Sequence, residues 1–383
     1  MISLCPRVDA SASDLARNVY CVFGLPIDAL DMTEVIRQID AAVACRNRFF
    51  LSTPNLDFLV RSRIDPEFRE TLLVSDLCVA DGMPIVWLAW LIGVPLRQRV
   101  SGSDIFEALK TPARCRQQLK VFLFGGAEGV AAAAAETING VASGLICVGT
   151  INPGFGAVDA MSGDDIIDTV NSSGADLLAV SLGAEKGQAW LHRNPQAPHH
   201  PGPRPSRRDN QFFGRGVKRA PRGLQRLGLE WLWRIKEEPY LWRRYAHDGL
   251  VLFQLLLSRA LPLAIINRWH GLISKRKPEE LLIITERYHD SVTIKVFGDA
   301  NRRTIGKAIA CFQETLTKWH ATVVIDLGGA RVIDERFLGL LLMVRKYLKG
   351  QGANLRFIGV SSAMRRLFWL NEVDCLLNNG IDR

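Results

Sequence analysis

The sequence predicts an α/β protein built on a Rossmann-like, largely parallel sheet, followed by a basic amphipathic helical tail and a second, smaller α/β domain. Three observations carry this. Short β-rich runs alternate with helical stretches from Val19 to Leu182, and the same alternation resumes at Leu281. Between these two regions, residues 204–277 hold 17 Lys and Arg against 5 Asp and Glu, a local +12 that leaves −3 for the rest of a chain whose net charge is +9. At 383 residues the chain also exceeds what one core sustains, so roughly two to three domains are expected.

Residues 1–18 show no periodicity and read as a disordered leader. The first domain is expected over 19–215. Its strands are Tyr20–Phe23, Phe49–Thr53, Leu77–Ala80, Lys120–Phe124, Ile146–Thr150 and Leu177–Leu182. Helices are expected at Met32–Ala44, through Phe58–Arg61, around Ile85–Leu91, and at Val130–Ile138 and Asp164–Val170. A parallel sheet of this kind places its ligands at the carboxyl ends of its strands. Residues 192–215 are rich in Pro, Arg and His and almost devoid of aliphatic side chains, so neither strand nor helix is expected there.

Helical pattern resumes at Arg222–Lys236 and runs through Tyr240–Ile266. Within 216–277, Trp231, Trp233, Tyr240, Trp242, Tyr245 and Trp269 are interleaved with Arg and Lys. Helical spacing with apolar faces fits a helix lying on an anionic membrane surface better than a nucleic-acid interface. The most apolar run, Gly249–Ile266, is interrupted by Gln254, Arg259 and Pro262 and reads as too short and broken for a membrane span; a buried inter-domain helix is its alternative. The second domain, 281–377, offers strands Leu281–Thr285, Val292–Phe297, Thr322–Leu327 and Asn354–Gly359, with helices Thr304–Trp319, Arg336–Lys349 and Ala363–Asn371.

Eight cysteines lie at scattered positions with no Cys-x-x-Cys pair, which argues against a zinc site or a disulfide framework. The N-terminus lacks a basic region followed by an apolar run, so the expected location is cytoplasmic.

The chemistry concentrates between Leu51 and Phe106. There Ser52-Thr53-Pro54-Asn55, Ala80-Asp81-Gly82-Met83-Pro84 and Arg99-Val100-Ser101-Gly102-Ser103-Asp104 interrupt apolar segments with small polar residues and isolated charges. Asp81 follows a strand directly, where its carboxylate can take a proton from an attacking hydroxyl; a turn former before glycine is the plainer alternative. Arg99 suits neutralisation of a phosphate, and Asp104 suits the cap of the following helix. Further on, Phe122-Leu-Phe-Gly-Gly126 reads as strand, glycine turn and helix start, where a diphosphate can meet backbone N–H groups. An ordinary tight turn reads equally well. No Asp-x-Asp occurs, so no metal and no other cofactor is expected.

These motifs, with Lys218-Arg-Ala-Pro221, Leu227-Gly-Leu-Glu-Trp231 and Glu238-Pro-Tyr-Leu-Trp-Arg-Arg-Tyr245, resemble the WecG/TagA/CpsF family of bacterial glycosyltransferases from about Val19 to Tyr245. The resemblance implies inverting transfer of a sugar, of N-acetylmannosamine type or related, from a UDP-sugar to an undecaprenyl-diphosphate-linked sugar in envelope or exopolysaccharide assembly. It implies Asp81 as base, a substrate pocket of Thr53, Asn55, Arg99, Gly102, Ser103 and Gln188, and Gly125 and Gly126 beside the nucleotide. A polyprenyl-linked acceptor implies work at the inner face of the cell membrane. Two departures are visible. The family's Gly-x-Pro-Lys-Gln-Glu loop stands here as Gly183-Ala-Glu-Lys-Gly-Gln188, and residues 192–215 replace an apolar strand, as a local double frameshift would. A catalytically impaired scaffold is the alternative reading.

The second domain resembles a STAS domain through Val323-Val-Ile-Asp-Leu327, Val332-Ile-Asp-Glu-Arg-Phe-Leu-Gly339 and Leu355-Arg-Phe-Ile-Gly359. The resemblance implies a protein partner. Glu335 stands where signalling members carry a phosphorylatable serine, and its single charge is a poor substitute for a phosphate.

Overall fold

The computed structural model describes residues 14–194, 242–276 and 279–378, apart from positions 48, 112–117, 127–128, 142, 155 and 319–320. Along the chain it places β1 (Val19–Val22), β2 (Leu25–Asp28), α1 (Met32–Ala44), β3 (Leu51–Ser52), α2 (Leu56–Ile64), α3 (Pro66–Leu73), β4 (Leu77–Cys78), α4 (Met83–Ile92) and α5 (Gly102–Leu109). Then come β5 (Leu119–Gly125), α6 (Val130–Asn139), β6 (Leu145–Ile151), α7 (Asp164–Ser172), β7 (Leu177–Ser181) and α8 (Ala184–Arg193). After the undescribed stretch, α9 (Trp242–Leu255) continues through a π-helical turn at Leu256–Ala260 into α10 (Leu261–Arg276). The C-terminal elements are β8 (Leu282–Tyr288), β9 (Ser291–Ala300), α11 (Ile305–Leu316), β10 (Thr322–Ile333), α12 (Glu335–Gly350), β11 (Asn354–Ile358), α13 (Ser362–Leu370) and α14 (Cys375–Asn378).

Two compact units result. One is built from Leu30–Val86 and Arg97–Leu250; the other from the N-terminal residues through Ala29, Trp87–Leu96 and the chain from Val251 on.

Among the described residues of the first unit every strand pairing is parallel: β3 with β4, and β5 with both β6 and β7 in the order β6-β5-β7. Alternation along β5 and β7 divides two cores. Val121, Leu123, Leu177 and Ala179 join α1, α5 and α6 residues such as Ile36, Phe106 and Ala134, whereas Phe122, Phe124, Leu178 and Val180 pack with Val170 and Trp190. A sheet covered on both faces needs apolar residues at both parities, which is why these strands read as continuous apolar runs. At Gly149 a Cβ would overlap the Phe122 ring, 2.5 Å away, so β6 crosses β5 only without a side chain there.

Trp190 is fully buried, lies 4.3 Å from the Phe124 ring and donates its Nε1–H to the Met161 carbonyl at 2.8 Å. Trp190→Phe, which keeps the ring stacking but orphans that carbonyl, is expected to cost about 1–2 kcal/mol in urea unfolding.

The second unit carries a four-stranded sheet, β11-β10-β9-β8, with β8 antiparallel to β9 and β10 parallel to both neighbours. Helix α12 packs on the β1–β2 hairpin. Gly339 faces the Val19 carbonyl so closely that any Cβ would collide with it, and the buried Arg336 guanidinium donates to the carbonyls of Val19 and Arg17 at 3.1 and 2.8 Å. Strand β1, expected in the first domain, is therefore held by the second unit.

Three other expectations change. Residues 14–16 are helical rather than part of a disordered leader: Leu15 is buried and Asp14 pairs with Lys346 at 2.6 Å, while positions 1–13 lie outside the described residues. The run around Arg259 and Pro262 is one continuous helix, with a π-helical turn at Leu256–Ala260 just before the proline. By length and composition alone Trp242–Leu272 is long and apolar enough to cross a membrane, and only 22 % of its most apolar window is buried. Helix α8 extends to Arg193 with Asn194 as its C-cap, so the first two residues of the Pro/Arg/His segment are helical; residues 195–215 of that segment, and Arg222–Lys236, fall among the undescribed residues 195–241.

Candidate active site

The three motifs between Leu51 and Phe106 converge at one end of the β3–β4 pair. Parallel pairing of Leu51 with Leu77 and Ser52 with Cys78 brings the carboxyl ends of the two strands side by side. Beyond them, the Asp81 N–H donates to the Pro54 carbonyl at 2.8 Å, and the Val100 N–H donates to the Ala80 carbonyl at 2.9 Å. The segments that carry Thr53, Asn55, Asp81 and Arg99 are thus tied together by main-chain bonds, independently of those side chains.

Gly82 has φ +108°, the region that disfavours a side chain, and a Cβ there would stand 3.9 Å from the Asn55 Cβ. The turn lets α4 begin immediately after Asp81, which is partly buried. Thr53 is buried at the strand end. Asn55 is the N-cap of α2, its Oδ1 accepting from the Phe58 N–H at 3.3 Å, and its Nδ2 has no hydrogen-bond partner among the described residues.

Arg99 donates through Nη2 to Asp104 Oδ2 at 3.0 Å, and both side chains are partly exposed. Asp104 is not the cap expected from sequence. Ser101 caps α5, its Oγ accepting the Asp104 N–H at 3.1 Å, and Asp104 lies in the first turn, where a carboxylate is favoured by the exposed N–H groups. Gly102 is the buried first residue of that helix, and Ser103 Oγ lies 3.0 Å from Ser101 Oγ.

Gln188 sits one layer deeper. It is fully buried, donates through Nε2 to Ser52 Oγ at 2.8 Å, and Ser52 Oγ in turn lies 2.7 Å from Ser75 Oγ. The Gln188 Oε1 has no partner among the described residues. Gln188 therefore supports the end of β3 beneath Thr53 rather than meeting the site surface directly. Gly187, where the family loop has Gln, is buried on the helix that packs against α3.

The glycine turn after β5 follows the plainer of its two readings. Gly125 and Gly126 both have positive φ, a Cβ on Gly125 would meet Leu182 and the Ser181 carbonyl at 2.8 and 3.0 Å, and the Gly126 N–H is already donated to that carbonyl at 3.0 Å. These glycines are required by the close passage of β5 and β7, and Gly126 has no N–H to offer a phosphate.

One contact had no signal in the sequence. Arg244, from the Glu238–Tyr245 motif, pairs with Asp57 at 3.0 Å, two residues after Asn55. Asp57 is also bonded by Arg61 at 3.3 Å, which in turn reaches Glu185 at 2.6 Å. Asp248, one turn beyond Arg244, is raised above the usual carboxylate range by burial and by the Asp57 charge. The ion pair brings the start of α9, with exposed Arg243, to the flank of the site.

The arrangement is that of a carboxylate at a strand end beside a polar floor and an adjacent guanidinium, suited to deprotonating a hydroxyl next to a departing anion. Two proteins named N-acetylglucosaminyldiphosphoundecaprenol N-acetyl-beta-D-mannosaminyltransferase are similar: one from Bacillus spizizenii, 26% identical over 229 residues covering 57% of this chain and 85% of that protein, and one from Bacillus subtilis, 23% identical over 228 residues covering 57% and 80%. Residues 20–264, well over half of the chain, match the glycosyl transferase WecG/TagA/CpsF family, and the chain belongs to that family.

Proposed function

We propose that the protein is an inverting hexosyltransferase that moves a sugar of N-acetylmannosamine type from a UDP-sugar to an undecaprenyl-diphosphate-linked sugar in envelope or exopolysaccharide assembly. The observation that carries this is the main-chain tethering of Asp81, Asn55 and Arg99 at the ends of β3 and β4. The names of the two similar proteins supply the substrate class.

In the proposed reaction the Asp81 carboxylate takes the proton of the acceptor hydroxyl. The oxygen forms its bond to the anomeric carbon from the face opposite the UDP, and the bond from that carbon to the diphosphate oxygen breaks. The electron pair leaves with UDP, whose growing charge is met by Arg99 without a metal or other cofactor. Asp104 accepts from Arg99 Nη2 and so holds the guanidinium in place. Arg99→Ala is expected to reduce kcat about 10- to 100-fold with a smaller change in KM for the acceptor, because the charge it meets develops in the transition state. Steady-state UDP release with a polyprenyl-diphosphate-linked N-acetylglucosamine acceptor checks both the assignment and the variant.

A lipid-linked acceptor places the enzyme at the inner face of the membrane, as a peripheral protein. Supporting this, Phe253, Leu257, Leu261, Ile265, Trp269 and Leu272 recur every three or four residues along the helix and are all exposed. We read the C-terminal sheet with α12 as a STAS-like module that docks a protein partner without a phosphoswitch, since residues 334–339 contain no hydroxyl side chain.

A further inference from the structure

The second unit contains a cavity of about 580 Å³ between α10, the segment Trp90–Gly93, the loop after β9 and the start of α12. Its polar wall has an unusual charge pattern. Arg268, Arg302 and Arg303 line it, all three are exposed, and none has an ion-pair or hydrogen-bond partner for its guanidinium among the described residues. Apolar residues complete it: Trp90, half exposed, together with Ile92, Ala264 and Leu272.

Two carboxyl groups line the same cavity, and together they leave the arginines in excess. The Asp334 carboxylate caps α12 and accepts three main-chain N–H groups, from Arg302 at 2.7 Å and from Arg336 and Phe337 at 3.0 Å each. Glu335 is 5 % exposed and accepts from Asn267 Nδ2 at 2.6 Å, an amide that also donates to the Ile92 carbonyl at 2.8 Å. Burial, reinforced by the neighbouring Asp334 charge, pushes Glu335 up to about 8, so at neutral pH it is mostly the uncharged acid. The other titratable groups facing it are Tyr20 and His270, the latter lowered by burial and therefore neutral, with an unpartnered Nδ1. The cavity thus sets three arginines against one ionised carboxylate, an excess of positive charge, with neutral donors and acceptors beside them.

We propose that this cavity binds the phosphate headgroup of an anionic lipid, held by Arg268, Arg302 and Arg303, and so gives the C-terminal unit its own hold on the bilayer. The inference rests on the reading of the protein as a peripheral membrane enzyme. A lipid is favoured over a soluble phosphate compound because the helix that supplies Arg268 exposes Ile265, Trp269 and Leu272 within one turn of it, side chains that meet acyl chains while the guanidinium meets phosphate.

The test is sedimentation of the full chain with vesicles of phosphatidylcholine alone and of phosphatidylcholine mixed with phosphatidylglycerol. Each basic side chain at an anionic surface is worth about a fivefold gain in partitioning, so the double variant Arg302→Gln/Arg303→Gln is expected to lose about 25-fold on the anionic vesicles. The matching Arg→Lys pair, which keeps the charge, is expected to retain most binding and controls for damage to the fold. Raising the pH from 7 to 9 should weaken wild-type partitioning, and Glu335→Gln should remove most of that change. If the wild type partitions onto anionic vesicles and the Gln pair partitions equally, the cavity is not the headgroup site although the membrane reading stands. Failure of the wild type to bind anionic vesicles at all overturns both. If inorganic phosphate at the same phosphate concentration raises the unfolding temperature as much as the vesicles do, the ligand is a free anion and the lipid assignment is overturned.

Discussion

Asp81→Asn is expected to lower the rate of sugar transfer by about 10³-fold or more while leaving the fold intact. Removal of a positioned base typically costs about 10²–10⁴-fold, and the amide can neither accept the hydroxyl proton nor supply negative charge beside the reacting carbon. The fold should survive because what places residue 81 is its main chain. The N–H donates to the Pro54 carbonyl and the preceding carbonyl accepts from Val100, and both bonds are indifferent to the side chain. The signature is a fall in kcat with an unchanged unfolding curve. Equal turnover by wild type and variant would remove Asp81 from the reaction.

The second large effect is on stability. Glu335 is held near 8 in the folded chain against 4.5 for the free side chain, so between those values the folded state carries a proton that the unfolded state has lost. Unfolding then releases a proton, and stability falls as pH rises, by up to about 1.4 kcal/mol per pH unit across pH 5–8, before levelling above the folded value. Glu335→Gln mimics the neutral acid, keeps an oxygen for Asn267 and cannot ionise. It should match wild type near pH 5 and exceed it by about 2–4 kcal/mol at pH 8.5. Since a chain of two units need not unfold in one step, hydrogen exchange of β9 and β10 at several pH values is the appropriate readout. Parallel pH profiles for the two proteins would show that Glu335 ionises freely.

Strand and helix periodicity located most elements, because a two-faced parallel sheet writes apolar residues at both parities and its helices carry plain amphipathic spacing. Features fixed by backbone geometry were harder to read. Strand β2 follows a two-residue turn in which Phe23 and Gly24 both have positive φ, and phenylalanine gives no hint of that conformation. Helix α5 had a readable start: Ser101 followed three residues later by Asp104 is a capping pattern, but the acidic residue drew the cap role that the serine fills. Helix α3 likewise opens with Asp65 as cap and Pro66 in its first turn, a recognisable helix start that the strand–helix alternation obscured.

Within the site, the motifs and their convergence were legible because each follows a strand. The burial of Gln188 under Ser52 and the pairing of Arg244 with Asp57 were not, since contacts over 136 and 187 positions leave no local trace. The Gly125–Gly126 turn shows the limit of composition most clearly. Glycines needed for close strand passage and glycines needed for a phosphate look identical until the N–H of Gly126 is found already donated to Ser181.

The stereochemistry of transfer tests a single displacement assisted by Asp81 most directly. With a UDP-N-acetylmannosamine donor and a polyprenyl-diphosphate-linked N-acetylglucosamine acceptor, proton NMR of the product should show the anomeric configuration inverted relative to the donor. UDP should appear in step with the disaccharide lipid, and only when acceptor is present. Retention of configuration would contradict a single displacement assisted by Asp81.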